Sequence, residues 1–218
     1  MLVIGHRGAS GLAPENTLES LRAGLQVGAD MLEFDVRLTA DQVPILSHDA
    51  QLHNLQIRKK TLEQLQQAGE VTTLVSVLDE FFGYILLNLE YKPSSNVKIV
   101  YDLVKTYVKT DEDWDNILFS SFHVGALFQL RSLSKKVNLA LLHSMNPFAF
   151  VTYDRRLHLT AVGWHRLHVN SMAIAIAKKA NIFTYVYTVN RPPAAILWSQ
   201  KGIDSVVTDY PDRMVKEL

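Results

Sequence analysis

Seven residues of this chain have the types and order needed for chemistry on a phosphate ester. Two histidines can transfer protons near neutral pH. Three carboxylates can bind a hard divalent cation, and an arginine and a lysine can bind an anion. These residues are His6, Arg7, Glu33, Asp35, His48, Glu90 and Lys92.

The three carboxylates are predicted to converge in a buried place. Glu33 and Asp35 are two residues apart in an apolar run, so on a β-strand they share one face while the apolar residues share the other. Glu90 ends another such run. Inward carboxylates without partners cost several kcal/mol each, so the cluster indicates a bound cation, with a salt-bridge network to Arg37 or Lys92 as the alternative. Oxygen ligands favour Mg²⁺, Ca²⁺ or Mn²⁺ over Zn²⁺.

The histidines and cations complete the predicted site. His6 and His48 each lie where an apolar run ends, a position that favours a functional role over an ordinary surface histidine. Breaking a phosphodiester requires one group to deprotonate the attacking oxygen and another to protonate the leaving alkoxide. Arg7 offers a planar fork to phosphate oxygens, and Gly8 is expected to let the first loop approach an anion closely.

Composition excludes several other classes of function. The 22 basic residues are balanced by 22 acidic ones, so there is no basic field for a nucleic acid. The chain has no cysteine, which excludes disulfides and thiolate sites. No secretory signal precedes His6, and no apolar stretch reaches the roughly 20 residues of a transmembrane helix. We therefore expect a soluble, cytoplasmic protein.

Short β-rich runs alternate with helical stretches, and no linker divides residues 1–218, so one α/β domain is expected. Eight repeats of about 27 residues fit a (β/α)8 TIM barrel, and polar residues at the ends of the runs favour it over a doubly wound open sheet. In the first helix, residues 17–27, Asn16 is the expected N-cap. The predicted strands are Leu2 to His6, Met31 to Arg37, Tyr84 to Glu90, Asn116 to Ser120, Val137 to Leu142, Thr160 to Trp164, Phe183 to Thr188 and Ser205 to Thr208.

An ordered set of motifs resembles the glycerophosphodiester phosphodiesterase family over nearly the whole chain. Singly these motifs are weak, but together and in this order they are specific. They are His6-Arg7-Gly8-Ala9, Pro14-Glu15-Asn16-Thr17, Glu33-Phe34-Asp35-Val36, His48-Asp49, Glu90-Tyr91-Lys92, Ser120-Ser121-Phe122, Tyr187-Thr188-Val189-Asn190, Gly202-Ile203-Asp204 and Thr208-Asp209.

The resemblance implies a TIM-barrel enzyme of lipid and glycerol metabolism. Its substrates would be deacylated phospholipids such as glycerophosphocholine or glycerophosphoethanolamine, cleaved to glycerol 3-phosphate and an alcohol. Two routes are consistent with these residues, direct attack by water and attack by the neighbouring glycerol hydroxyl through a cyclic phosphate. The implied roles are metal binding by Glu33, Asp35 and Glu90, acid/base catalysis by His6 and His48, and phosphate binding by Arg7 and Lys92. Either histidine fits either role.

Three positions depart from this pattern or have a second explanation. The resemblance places Glu15 in the site, where it would orient a histidine or lie near the metal, and a charge favoured by the helix dipole is the alternative. Tyr187 stands where tryptophan is usual, and its hydroxyl needs a partner when buried. The insertion after the second strand is shortened at residues 50–60, so a wall of the pocket is expected to be missing or remodelled.

Two other functions fit the same residues. One is a lysophospholipase D-like phosphodiesterase acting on lysophospholipids or sphingolipids, which needs an apolar entrance. The other is a barrel that binds a phosphate ligand without turnover, which a missing catalytic residue would favour.

Overall fold

Eight parallel strands form a closed barrel in the computed structural model, which describes residues 1–92, 96–143 and 145–218. The barrel strands follow one another in chain order, and the first strand pairs with both the second and the last. This pairing leaves no open edge in the barrel. The predicted (β/α)8 TIM barrel is confirmed, and the open doubly wound sheet is excluded.

The strands are β1 (Leu2–Gly5), β2 (Met31–Leu38), β3 (Pro44–Leu46), β4 (Gln51–Leu52), β5 (Leu55–Gln56), β6 (Leu86–Tyr91), β7 (Ile117–Ser121), β8 (Asn138–His143), β9 (Ala161–His165), β10 (Phe183–Tyr187) and β11 (Ser205–Thr208). The barrel consists of β1, β2 and β6 to β11, while β3 runs antiparallel to β2 and β4 pairs with β5. All eight predicted strands are therefore present, with ends shifted by one or two residues.

The helices are α1 (Leu18–Gln26), α2 (Leu62–Gln66), α3 (Leu74–Phe81), α4 (Val97–Lys105), α5 (Val124–Leu133), α6 (Ala149–Leu157), α7 (Ser171–Lys179), α8 (Pro192–Gln200) and α9 (Pro211–Glu217). Short 3₁₀ helices cover Ile57–Lys59 and Glu112–Asn116. Among the described residues, every helix is too short or too polar to cross a bilayer.

Alternation along β2 decides which residues face the barrel interior. Leu32, Phe34 and Val36 are fully buried in the large core between the barrel and its helices. Burying each such side chain stabilises the fold by roughly 2 kcal/mol, so a shift of the strand by one residue would be strongly unfavourable. Glu33 and Asp35 therefore point inward, as the sequence predicted.

The first helix begins differently from the prediction. Thr17, not Asn16, is the N-cap of α1, because its hydroxyl accepts a hydrogen bond from the backbone N–H of Ser20. Asn16 lies one residue earlier in a left-handed conformation with φ of 58°. Its side chain instead forms hydrogen bonds with Asp35, as described below.

The shortened insertion is a folded wall of the site. β4 and β5 form a hairpin whose two turn residues, His53 and Asn54, are both left-handed, as a two-residue type I′ turn requires. Ile57 and Leu65 pack against Ile45 in a small separate core. Of the two expected outcomes, a missing wall or a remodelled one, the structure has the second, because this cluster gives the short segment enough apolar contact to fold.

Candidate active site

The three predicted metal ligands lie together at the carboxyl ends of two adjacent barrel strands. Asp35 on β2 is directly opposite Glu90 on β6 in the parallel register. One oxygen atom from each of Glu33, Asp35 and Glu90 lies within 4.8 Å of the others. Asp35 and Glu33 are almost completely buried, and Glu90 is partly exposed. The convergence of three carboxylates predicted from the alternation is therefore present.

Of the three carboxylates, Asp35 has the most ion-pair and hydrogen-bond partners. Lys92 Nζ lies 2.9 Å from its Oδ1, and Arg7 Nε lies 3.3 Å from its Oδ2. Asn16 donates from Nδ2 to Oδ2 at 3.0 Å, and its own Oδ1 accepts from the Asp35 backbone N–H at 3.0 Å. Burial alone would raise the pKa of Asp35, but Lys92, Asn16 and Arg7 together lower it. Asp35 is therefore ionised throughout the neutral range.

At Glu33 the effect of burial on the pKa outweighs that of the favourable contacts, the reverse of the situation at Asp35. Its Oε2 accepts a hydrogen bond from the Arg7 backbone N–H at 2.8 Å, whereas its buried Oε1 has no partner among the described residues. Burial, followed by the charges of Asp35 and Glu90, raises the pKa of Glu33 to about 8. Burial and Asp35 also raise the pKa of Glu90, against the lowering effect of Lys92. Two of the three carboxylates are thus held in an environment that disfavours their charge.

A divalent cation fits this set of donors. Two cations, Arg7 and Lys92, face the four carboxylates of Glu15, Glu33, Asp35 and Glu90, which leaves a formal charge of −2 when all are ionised. A dication would neutralise that charge and provide a partner for Glu33 Oε1. The acidic triad can therefore bind a metal ion, and its all-oxygen ligands suit a hard cation.

The position of Arg7 is fixed by a side-chain hydrogen bond and by its backbone conformation. Its Nη1 donates to Glu15 Oε2 at 2.6 Å, and its backbone is left-handed with φ of 49°. Glu15 thus bonds to the predicted phosphate-binding arginine, and its described hydrogen bond is not to a histidine. The next residue, Gly8, has φ of 86°, and an added Cβ would lie 2.5 Å from the backbone of Ser20. Gly8 is therefore required by the packing of α1, a different reason from the anion approach expected from the sequence.

Lys92 follows β6 and completes the basic side of the site. Its ammonium group forms ion pairs with both Asp35 and Glu90 and is almost completely buried. Burial would lower the pKa of Lys92, but the two carboxylates raise it overall. Lys92 therefore stays protonated near neutral pH.

His6 extends from the end of β1 and is held by the opposite end of the chain. Its Nδ1 lies 2.6 Å from Oδ1 of Asp209, which follows β11. Asp209 also accepts hydrogen bonds from Ser10 Oγ at 2.8 Å and Asn190 Nδ2 at 2.5 Å. Burial would lower the pKa of His6, but the bond to Asp209 and the charge of Glu33 raise it overall. Since the partner is a carboxylate, Nδ1 is the donor and Nε2 is free for a substrate.

His48 lies in the loop after β3. Its Nδ1 is 2.8 Å from the exposed carboxylate of Asp49. The Arg37 guanidinium donates two hydrogen bonds to the His48 backbone carbonyl, at 3.0 and 2.7 Å, which fixes the loop. His48 lowers the pKa of Glu90, whereas Glu33 acts on His6, so the two histidines are near different members of the triad.

Two separate spaces are lined by these residues. A small internal cavity is lined by His6, Glu33, Glu90 and Tyr187. A wider cleft of about 400 Å³ is lined by His48 and the folded insertion. Each histidine therefore faces a space of its own.

Tyr187 shapes the inner end of this arrangement. Its hydroxyl donates to the His143 backbone carbonyl at 2.8 Å, so the partner that its burial requires is present. Its ring is in edge contact with the rings of Phe122 and His165, and the distance between ring centroids is 6.0 Å in both pairs. His165 is the last residue of β9 and is half-buried, whereas His168 is exposed in the loop that follows.

Three supporting residues were not assigned to the site from the sequence: Asn16, Asn190 and Asp209. In the sequence Asp209 was named only as part of the Thr208-Asp209 motif, without a role. Its link to His6 depends on the closure of the barrel between β1 and β11, which brings together positions 203 residues apart. The resemblance motif that contains Asp209 was the available signal.

Comparison with known proteins agrees with this geometry. The sequence profile described as the Glycerophosphoryl diester phosphodiesterase family matches residues 6–213. A glycerophosphodiester phosphodiesterase of Bacillus altitudinis is 27% identical over 98% of this chain and 96% of its own length.

Solved structures show the same likeness over the whole fold. A phosphodiesterase of Oleispira antarctica, in complex with the product sn-glycerol-3-phosphate, superposes with a TM-score of 0.88 and 28% identity, covering 100% of this chain and 96% of that one. A glycerophosphodiester phosphodiesterase of Thermotoga maritima gives a TM-score of 0.82 at 26% identity, covering 99% and 97%. This chain therefore belongs to the glycerophosphoryl diester phosphodiesterase family and is a phosphoric diester hydrolase.

Proposed function

We propose that this enzyme hydrolyses glycerophosphodiesters such as glycerophosphocholine or glycerophosphoethanolamine to glycerol 3-phosphate and an alcohol, using a divalent cation. The observation that supports it most is the triad of Glu33, Asp35 and Glu90, with oxygens within 4.8 Å of one another and with His6 near Glu33 and His48 near Glu90. In the Oleispira antarctica relative the bound product is sn-glycerol-3-phosphate.

Glu33, Asp35 and Glu90 would hold the cation, with Mg²⁺ or Ca²⁺ as the first choices and Mn²⁺ as the third. When bound, the cation supplies positive charge that stabilises the phosphoryl oxygens and lowers the pKa of the attacking oxygen. The charge balance supports this role, because the site has a formal charge of −2 when its carboxylates are ionised as ligands, and a dication would offset that charge before a phosphodiester anion binds. Arg7 and Lys92 are already paired with carboxylates and would orient the phosphate.

The two histidines divide the proton transfers. One takes the proton of the attacking hydroxyl group, a new P–O bond forms, and the bond from phosphorus to the alcohol breaks. The other histidine gives its proton to the departing alkoxide, so one water is consumed in the complete reaction. Asp209 fixes the tautomer of His6, and Arg37 fixes the loop of His48. In a route through a cyclic phosphate the glycerol hydroxyl attacks first and water attacks in the second step.

Lysophospholipids are a second class of substrate that the structure favours. They carry the same phosphodiester but retain an acyl chain, which needs an apolar path at the mouth of the barrel. Phe122 is exposed there, in contact with Tyr187 of the site.

The cytoplasmic location remains a prediction.

The products of two substrates test the proposal. Glycerophosphocholine and lysophosphatidylcholine would be incubated separately with enzyme and metal, and the products identified by mass spectrometry. We expect choline with glycerol 3-phosphate from the first and choline with lysophosphatidic acid from the second. Release of phosphocholine from either would place the cleavage at the wrong bond and contradict the proposal.

A further inference from the structure

One half of the barrel mouth exposes large apolar side chains. Four such residues lie in or just after the loops that follow β7, β8 and β9, and we call them the apolar lip. They are Phe122, Met145, Leu167 and Met172, with exposed fractions of 40%, 78%, 68% and 67%. Single exposed apolar residues are ordinary, but several on neighbouring loops at one end of a barrel indicate a binding surface.

The apolar lip touches the active site through Phe122. Phe122 is in edge contact with the ring of Tyr187, and Tyr187 lines the same internal cavity as His6 and Glu90. His165 immediately precedes the loop that carries Leu167, and its ring also contacts that of Tyr187. A molecule that covered the apolar lip would therefore lie directly beside the entrance to the site.

The charges around the mouth are divided between its two halves. The loops that follow β7, β8, β9 and β10 contain no Asp or Glu, but they carry Arg166 and Arg191, both exposed. Neither arginine forms an ion pair with any residue in the described ranges. On the other half, the cleft beside His48 is lined by Glu15, Asp49 and Glu70. An anionic surface would be attracted to the first half only.

This combination selects one partner among those that could cover an apolar surface. A second copy of the chain placed lip to lip would bring the unpaired arginines of both copies together, which is unfavourable. An anionic lipid surface offers both an apolar interior for Leu167 and its neighbours and negative head groups for Arg166 and Arg191.

We propose that the apolar lip docks this enzyme on anionic lipid surfaces, so that lysophospholipids enter the site from the surface itself. The docking does not depend on turnover, whereas the entry of lysophospholipids depends on the proposed function. The substrate would present its phosphodiester at the carboxylate triad while its acyl chain stays against the apolar lip.

Vesicle binding tests the docking directly. The full chain would be sedimented with vesicles of phosphatidylcholine alone and with vesicles that contain phosphatidylglycerol, in EDTA to prevent turnover. We expect binding to the anionic vesicles to exceed binding to the neutral ones by roughly tenfold, and this preference to fall with added salt. The double variant Leu167→Ser, Met172→Ser should lose roughly tenfold in binding, and Arg166→Glu should lose most of the preference for anionic lipid.

Leu197→Ser is the matched control, because Leu197 is 58% exposed on α8 and lies outside the apolar lip. It should bind as the wild type does. All the changed side chains are exposed, and an unchanged thermal midpoint would show that each variant is folded. Absence of wild-type binding, an equal loss in Leu197→Ser, or a lip-dependent dimer in place of vesicle binding would overturn the proposal.

Hydrolysis assays with added cation, run on the same enzyme preparations, separate the two proposals. A wild-type enzyme that hydrolyses glycerophosphocholine but does not bind vesicles would contradict docking alone. One that binds vesicles through the apolar lip but hydrolyses neither substrate would contradict the proposed function and leave docking intact.

Discussion

The imidazole of His6 and the carboxylate of Asp209 meet at 2.6 Å across the closure of the barrel. The bond joins the first loop to the last one and directs Nε2 of His6 away from Asp209. Asn190 and Ser10 hold the carboxylate in turn. The orientation and protonation of the proposed catalytic histidine thus depend on a residue that does not itself need to touch the substrate.

Replacing Asp209 by Asn should lower the pKa of His6. The carboxylate is the main influence that raises this pKa, and burial, which lowers it, would remain. The limb of the pH–rate profile that belongs to His6 should move to lower pH. We expect kcat to fall by roughly 10- to 100-fold with a much smaller change in KM. Histidine NMR titration together with the pH–rate profile measures both effects.

Asp49→Asn is the matched control for that substitution. Asp49 pairs with the other histidine, but it is largely exposed and water can replace it. Its loss should change kcat by less than about threefold. An unchanged His6 pKa in Asp209→Asn, or equal losses in the two variants, would contradict the assigned role of Asp209.

The two histidines should each be needed for turnover. His6→Asn and His48→Asn keep a hydrogen-bonding side chain but remove a group that titrates near neutral pH, so each should lose about 100-fold or more in kcat. His158→Asn is the control, since His158 is a left-handed C-cap of α6 and asparagine adopts that conformation readily. Steady-state kinetics on glycerophosphocholine would measure all three. Near wild-type rates for both site variants would remove the histidines from the mechanism.

Metal binding should release a proton from Glu33. Its pKa of about 8 in the metal-free protein means that the carboxyl is mostly protonated at pH 7, while a ligand must be ionised. We expect release of close to one proton at pH 6.5 and less above pH 8, with metal affinity rising as the pH increases. Calorimetric titration in two buffers of different ionisation enthalpy counts the protons. Zero release at pH 6.5 would contradict the raised pKa.

The same pKa has a consequence for stability, and its sign can be derived. The folded protein holds the Glu33 proton more tightly than the unfolded chain, whose glutamates titrate near pH 4.3. The free energy of unfolding of the metal-free protein should therefore receive a decreasing contribution from Glu33 as the pH rises from about 4.3 to 8. Glu33→Gln should remove that part of the slope in denaturant titrations.

Lys92→Met should destabilise the metal-free protein. It leaves Glu90 and Asp35 without their shared buried cation, although Asp35 keeps Arg7 and Asn16. We expect a loss of about 2–4 kcal/mol in EDTA and a smaller loss with a bound cation. Lys98→Met, which breaks an exposed pair with Asp102 on α4, should cost about 0.5 kcal/mol or less. Equal effects of the two changes would show that the Lys92 pairs are not significant.

Much of the fold could be predicted because period-two alternation is a local property. On β2 it placed Glu33 and Asp35 on the inner face, and the structure agrees. The role of Asp209 could not be derived in this way, since it depends on which strands close the barrel. Asn16 was assigned to the wrong task because its left-handed backbone, which turns its side chain to Asp35, has no signature in a helix-capping pattern.

The shortened insertion shows a second limit. Segment length could not decide between a missing wall and a remodelled one, because stability depends on apolar contacts, and Ile45, Ile57 and Leu65 come from separate segments. Such a cluster is visible only when the chain is folded. The cleft beside His48 therefore has a definite outer wall.

Release of glycerol 3-phosphate from glycerophosphocholine by metal-stripped enzyme is the most direct measurement of the central claim. The reaction would be followed in EDTA and then with Mg²⁺, Ca²⁺ or Mn²⁺ in excess over the chelator. We expect no release in EDTA and restored release with at least one of these cations, together with loss of the response in Glu33→Gln. Undiminished release in EDTA, or none with any cation, would contradict a metal-dependent glycerophosphodiesterase built on Glu33, Asp35 and Glu90.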